Sequence, residues 1–137
     1  MFTILQKLKP GAADRIREHV ATVDAETGFD PIGTIHELRI VFFDNDTRWI
    51  FATTFDGDWD KYIEDFASLG PERFERLFGE CEDWPGVNNP DLLKAFFARH
   101  QVPAAFFYTA NPDSTVNRLK KAERVLNAWE EMLDASG

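Results

Sequence analysis

The stretch Thr34–Phe66, TIHELRIVFFDNDTRWIFATTFDGDWDKYIEDF, decides the fold of this chain. Its two apolar parts, 34–43 and 48–55, are rich in β-branched and aromatic residues, which is typical of strands. The polar residues at 44–46 between them are typical of a tight turn, so the stretch predicts a β-hairpin. After Asp56 the apolar residues recur at helical spacing, which predicts a helix directly behind the second strand.

Three aspartates stand at alternate positions where the second strand gives way to this helix. Asp56, Asp58 and Asp60 are arranged as at the start of a calcium-binding loop. Such a loop requires Gly at its sixth position and Glu at its twelfth, but these positions hold Lys61 and Ala67. The alternative is a structural joint, in which Asp58 caps the helix and Asp60 favours its first turn. We predict the joint.

The elements on both sides follow from the same two periodicities, alternation for strands and three-to-four spacing for helices. The run PAAFFYTA at 103–110 is nearly continuously apolar, which predicts a strand buried on both faces. Gly28 ends the first helix, and Asn-Pro-Asp at 89–91 and 111–113 has the composition of a helix start. The other predicted elements are a strand over 2–8, a helix over 12–27, two short helices within 71–100, and a final helix reaching about residue 134.

This order predicts one α+β domain over residues 1–137. Without the two short inserted helices it reads βαββαβ, the ferredoxin-like arrangement, with a four-stranded antiparallel sheet, helices on one face and a further C-terminal helix. The other face of such a sheet is open, so we expect a homodimer that packs sheet against sheet. Leu119, Leu126 and Leu133, spaced seven apart in the last helix, indicate a packed stripe that a partner could cover.

Charge and composition restrict the possible partners and location. The chain carries 24 acidic and 15 basic residues, a net charge of −9, which argues against nucleic acid and anionic membranes as partners. No apolar run approaches the ~20 residues of a membrane span. The start of the chain lacks the features of a signal peptide, and the single cysteine suits a reducing compartment, so a cytoplasmic location is expected. Acidic neighbours should raise the pKa of Cys81, which predicts a structural thiol.

In element order and strand character, residues 2–108 resemble the dimeric α+β barrel superfamily. More narrowly, a His-x-x-Arg strand, a Phe-Asp-Gly helix start and a Gly-x-Cys-x-x-aromatic-Pro turn, here at 36–39, 55–57 and 79–85, resemble a group of uncharacterised bacterial domains of unknown function. The superfamily includes small monooxygenases, isomerases, haem-binding enzymes and stress-responsive proteins, which bind ligands between sheet and helices. The resemblance therefore implies a fold and a pocket, while no single catalytic motif comes with it.

His36 is the main candidate for proton transfer or ligand hydrogen bonding, because imidazole changes charge near neutral pH. Arg39 is a candidate partner for a ligand carboxylate. The alternatives are a satisfied core or interface histidine and an Arg–Glu pair across strands. Since the two residues lie three apart in one strand, they point to opposite faces unless a bulge intervenes. Phe51, Thr53 and Tyr108 complete the predicted ligand-binding set.

The expected function is the binding of a small hydrophobic or aromatic ligand in a pocket between sheet and helices. Two alternatives remain open at this point: a small monooxygenase-like or haem-binding enzyme, and a non-catalytic assembly module. No metal site is predicted, because His19 and His100 have no second ligand at HxxxH or HxH spacing. No cofactor is expected unless the haem alternative holds. The helices at 71–100 either form a lid over the pocket or only pack.

Overall fold

A computed structural model describes all residues from Met1 to Gly137. The chain is an α+β domain with a three-stranded antiparallel sheet and five α-helices. None of these helices combines the length and the apolar character that a membrane span requires. In chain order the elements are β1 (Phe2–Lys7), α1 (Ala12–Val20), a 3₁₀ helix (Asp30–Ile32), β2 (Ile35–Phe43), β3 (Arg48–Phe55), α2 (Trp59–Leu69), α3 (Pro71–Phe78), α4 (Pro90–His100) and α5 (Val116–Ser136).

The predicted hairpin is confirmed as β2 and β3, which pair antiparallel. Asp44, Asn45 and Asp46 in the connecting turn all have positive φ, a conformation that Asn and Asp tolerate better than most residues. β1 pairs antiparallel with the other edge of β3, so the strand order is β1-β3-β2. One β-bulge interrupts the ladder between Ile35 and Glu37, and His36 lies within it.

Helices α1 to α4 cover one face of the sheet and enclose an aromatic core. The ring of Phe78 lies near its centre, with centroid distances of 5.2 Å to Trp49, 4.9 Å to Phe51 and 4.9 Å to Phe97, all edge-to-face. Phe66 and Phe74 join α2 to α3 through rings stacked at 4.0 Å. These contacts account for much of the aromatic content of the sequence as ordinary core packing.

The fourth strand predicted at 103–110 is wrong, and the sheet has three strands. The segment approaches β1 only through a single bridge from Gln101 to Ile4 and one hydrogen bond from Val102 N–H to Thr3. In this antiparallel register Ala104 lies opposite Met1, so β1 ends before the apolar part of the segment begins. Pro103 also lacks the N–H that a continued ladder requires. The ferredoxin-like arrangement is therefore not confirmed, and residues 103–110 are exposed.

Two predicted helix boundaries are also wrong. The first helix ends at Val20 and does not continue to Gly28, because side chains beyond Val20 bond to the backbone in turns. The Thr22 hydroxyl donates to the carbonyl of His19, and Asp24 accepts two backbone N–H groups. The last helix begins at Val116 with Thr115 as its cap, not at Asn111. The corresponding prediction for α4 is confirmed, since Asn89 accepts the N–H groups of Asp91 and Leu92.

Replacing Phe78 with alanine should lower the free energy of unfolding by about 3–5 kcal/mol, because a cavity opens among the six aromatic rings that now surround its ring. Urea denaturation followed by circular dichroism measures this change. Leu92→Ala is the matched control on an exposed helical site and should change the free energy of unfolding by less than about 0.5 kcal/mol. Equal losses in the two variants would contradict a core centred on Phe78.

Candidate functional site

A cavity of about 370 Å³ lies between α1, the loop that follows it, β2 and the first turn of α5. This volume is within the range of small-molecule sites, which run from about 300 to 1,000 Å³. Most of the wall is apolar, so the cavity suits a ligand with an apolar body. The apolar side chains that line it are Val20, Val23, Phe29, Ile35, Leu38, Ile40, Leu77 and Val116.

His36 stands at the boundary between this cavity and a second cavity of about 440 Å³. Its Nε2 lies 2.6 Å from Oδ1 of Asp56, and both side chains are half-buried. The bulge at Ile35/Glu37 releases His36 from the strict alternation of β2, which allows its ring to reach Asp56 at the end of β3. A carboxylate bonded to one ring nitrogen fixes the orientation of the imidazole and leaves the other nitrogen for a ligand.

Asp56 also fixes the start of α5. Its Oδ2 accepts the backbone N–H of Val116 at 2.8 Å, so one carboxylate serves one of the donors that a helix start leaves without a partner. These two bonds give Asp56 a structural role, because they connect the end of β3 to β2 and to α5. This agrees with the predicted structural joint at 56–60. The prediction that Asp58 caps α2 is wrong, because Asp58 stands at the N-cap position but its side chain makes no capping bond.

His19 of α1 lines the same cavity, and its Nε2 is buried without a hydrogen-bond partner. Burial lowers the pKa of His19 below its ordinary value, and the positive charges of Arg76 and Arg73 lower it further. The imidazole is therefore neutral at pH 7 and can donate or accept one hydrogen bond. The sequence pattern suggests for His19 only the role of a metal or haem ligand, although the residue shares the apolar stripe of α1 with Ile16.

The polar rim of the cavity is acidic. Asp24, Glu26, Asp30 and Glu37 line it, and Lys120 is its only lysine or arginine. The Lys120 ammonium lies 3.2 Å from the Asp30 carboxylate, so its positive charge is already paired within the chain. The four carboxylates of the rim outnumber its one ammonium, which favours a neutral or cationic ligand there, while Arg76 and Arg73 add positive charge on the side of His19.

The other predicted ligand-binding residues do not join this cavity. Phe51 and Thr53 are fully buried beneath the helices, where the Thr53 hydroxyl lies 2.9 Å from the Tyr62 hydroxyl. Arg39 is exposed on the opposite face of the sheet. Tyr108 lines the second cavity together with His36, although its side chain is largely exposed. Of the predicted set, the structure brings together His36 and Tyr108, and the ligand-binding roles of the others stay predictions.

Two further sequence predictions concern Cys81 and the inserted helices. Cys81 is fully buried, its Sγ lies 3.1 Å from Gln6 Oε1, and burial followed by the charge of Asp83 raises its pKa to about 12. A structural thiol is thereby confirmed. Helix α3 contributes Leu77 to the cavity wall and α4 contributes nothing, so these helices pack in the core and do not form a lid. No group of three or more His, Cys, Asp or Glu side chains could hold a metal ion.

No known protein-family model and no curated protein matches the chain. Membership of the dimeric α+β barrel superfamily therefore stays a prediction. What the site can do is inferred from its geometry.

Replacing Asp56 with alanine should lower the free energy of unfolding by about 1–2 kcal/mol, because the His36 and Val116 bonds are both lost. Urea denaturation measures the change. Asp58→Ala is the matched control, since it removes a neighbouring exposed carboxylate that bonds to nothing, and should have almost no effect. If Asp58→Ala lowered the free energy of unfolding more than Asp56→Ala, Asp56 would not be the residue that holds these elements together.

The lowered pKa of His19 makes stability depend on pH in a specific direction. Below pH 6.5 the unfolded chain takes up a proton at this histidine before the folded chain does, so the free energy of unfolding falls as the pH falls. His19→Gln removes this contribution. Thermal unfolding measured from about pH 7.5 down to about pH 5 should therefore show a steeper loss for the wild type than for His19→Gln. Parallel curves would contradict a buried, neutral His19.

Proposed function

We propose that this chain binds a small, uncharged molecule with an apolar or aromatic body in the cavity between α1, β2 and α5. The single observation that carries the proposal is a cavity of ligand size with mostly apolar walls, to which His19 and His36 add two polar side chains, the Nε2 of His19 being without a partner in the protein. An orphaned polar atom in such a place costs free energy unless a ligand supplies its partner.

The roles of the two histidines differ in this proposal. His19, a half-buried residue of the cavity wall, hydrogen-bonds a hydroxyl or carbonyl group of the ligand, because the neutral imidazole needs no counter-charge. His36 contacts the ligand at the mouth, oriented by Asp56 at 2.6 Å. The acidic rim, with Asp24 and Glu37 among its members, discriminates against carboxylic acids.

The His36–Asp56 pair also supports a second candidate, an enzyme that moves a proton to or from the bound molecule. A histidine oriented by a carboxylate is a common general acid or base, because its ordinary pKa lies near neutral pH. In a small monooxygenase-like enzyme, the alternative expected from the sequence, such a proton transfer would be one step, and the oxidation itself would need dioxygen and a source of electrons. The test is turnover: His36→Gln would abolish it in an enzyme, whereas in a binding protein it would only weaken ligand affinity.

We also propose that the chain associates with itself as a homodimer. The support is an unpaired sheet face opposite the helices, together with the exposed apolar residues of α5. Packing of sheet against sheet, as expected from the sequence, is one arrangement that would cover this surface.

The binding proposal is tested by a thermal-shift screen with indole, 2-naphthol and cyclohexanone as neutral probes, and benzoate and hexanoate as anionic probes. A ligand at 100 times its dissociation constant adds about 2.7 kcal/mol to the free energy of unfolding. We expect a clear rise in melting temperature with at least one neutral probe and a smaller rise with the anions.

The affinities of cavity variants for the probe test whether it binds in this cavity. His19→Leu keeps the volume but removes the ring nitrogens, so it should weaken the neutral probe about tenfold, the effect of one lost hydrogen bond. Val23→Trp fills the mouth and should abolish binding. Leu92→Ala, on an exposed site of α4 away from the cavity, is the matched control and should leave affinity unchanged. Binding that survives Val23→Trp would place the ligand elsewhere and overturn the proposal.

A further inference from the structure

Residues 103–137 extend from the body of the domain as an exposed segment, which we call the arm. All residues from Asn117 to Gly137 are exposed, and Val116 is the one buried residue of the arm. Helix α5 alone has 21 residues and is therefore about 30 Å long. Beyond Lys120, which pairs with Asp30, every residue of this helix is exposed, so the helix lacks the buried apolar face that usually stabilises helices in proteins.

The arm carries an apolar stripe that faces solvent in a single chain. Leu126, Trp129 and Leu133 recur at three- and four-residue spacing and are each more than half exposed. Phe106 and Tyr108, before the helix, are 85% and 75% exposed. Monomeric proteins rarely expose apolar side chains in such a continuous arrangement.

The accessible surface of the chain is larger than expected for a compact monomer of its mass. A monomer of 15.7 kDa has an accessible surface of about 7,300 Å² by the usual scaling with mass. The accessible surface here is 9103 Å². The excess of about 1,800 Å² is well above the ~800 Å² that each partner buries in an interface of standard size. An excess of this size is comparable to the surface that each partner buries in a permanent oligomer.

The open face of the sheet has the chemistry that fits the stripe. Leu5, Ile50 and Val41 lie side by side across the three strands in this face. Lys7 and Arg39 flank them and form no ion pair within the chain. Glu37 lies beside Arg39 on the same face, so Lys7, at the other end of the row, is the cation farthest from a carboxylate of this face.

The edge of the stripe on α5 is acidic. Glu123 follows Leu119 by four residues and Glu130 follows Leu126 by four, which places both glutamates beside the leucines along one edge of the helix. Neither glutamate has a basic partner within the chain. Apolar surface and opposite charge thus match between the arm and the sheet face.

We propose that two copies exchange arms, so that α5 of each copy packs across the open sheet face of the other. This inference rests on the proposed self-association and specifies its geometry. An exchange covers both unpartnered surfaces at once, whereas packing of sheet against sheet leaves both arms exposed. It also places Glu123 and Glu130 of one copy near Lys7 and Arg39 of the other.

The experiment compares two variants by size-exclusion chromatography with light scattering. The arm variant, Leu126→Asp with Trp129→Asp, and the sheet variant, Arg39→Asp with Val41→Asp, change exposed residues, so circular dichroism should show an intact fold for both. Each should raise the dissociation constant of the dimer by roughly 100-fold. Asn127→Asp, on the polar side of α5, is the matched control and should remain a dimer. If the sheet variant unfolds, Arg39→Glu replaces it.

Mixing the two variants distinguishes the possible arrangements. In an exchanged dimer the arm variant still offers an intact sheet face and the sheet variant an intact arm, so a heterodimer with one of the two contacts should form. Its recovery supports the proposal. Failure of the mixture to associate overturns it in favour of pairing between like surfaces, and a dimeric arm variant overturns it in favour of sheet-to-sheet packing. A monomeric wild type overturns self-association itself.

Discussion

The carboxylate of Asp56 is the interaction on which the site depends. One oxygen lies 2.6 Å from His36 in β2, and the other accepts the Val116 N–H of α5. These two bonds hold the bulged end of β2, the end of β3 and the start of α5 in one position. The cavity wall includes Val116 and Ile35, so its shape follows from this arrangement. A half-buried carboxylate is tolerated here because both oxygens have donors.

A second constraint is that the domain packs only one face of its sheet. Most of the large aromatic side chains pack beneath α1 to α4, where Phe78 and Trp49 lie in the centre. The other face carries a short apolar row around Ile50 with no helix of its own chain above it. Because helices cover only one face of the sheet, both the other face and helix α5 are left exposed. Together they account for the large accessible surface of the chain.

Local chemistry is what the sequence predicts well. The hairpin turn at 44–46, the helix after Asp56 and the Asn89 cap each depend on neighbouring residues alone, and all three were predicted. The missing strand at 103–110 depends on where β1 ends relative to a residue about a hundred positions away, which composition does not encode. The bulge is similar, because a two-against-one register around Ile35 and Glu37 leaves no mark in an alternating pattern. For the same reason His36 could be named a candidate from its residue type, while its partner Asp56 could not.

The cavity and the arm share residues, which would couple the proposed ligand binding to the proposed assembly. Val116 and Lys120, in the first turns of α5, line the cavity, and Leu119 between them lines the second one. A partner that fixes the direction of α5 would therefore also fix one wall of the ligand site. A ligand that orders this wall would favour the same direction of the helix. By linkage, the free energy by which the partner strengthens ligand binding must equal the free energy by which the ligand strengthens association. Asp56, bonded at once to His36 and to the first residue of α5, is where the two are joined.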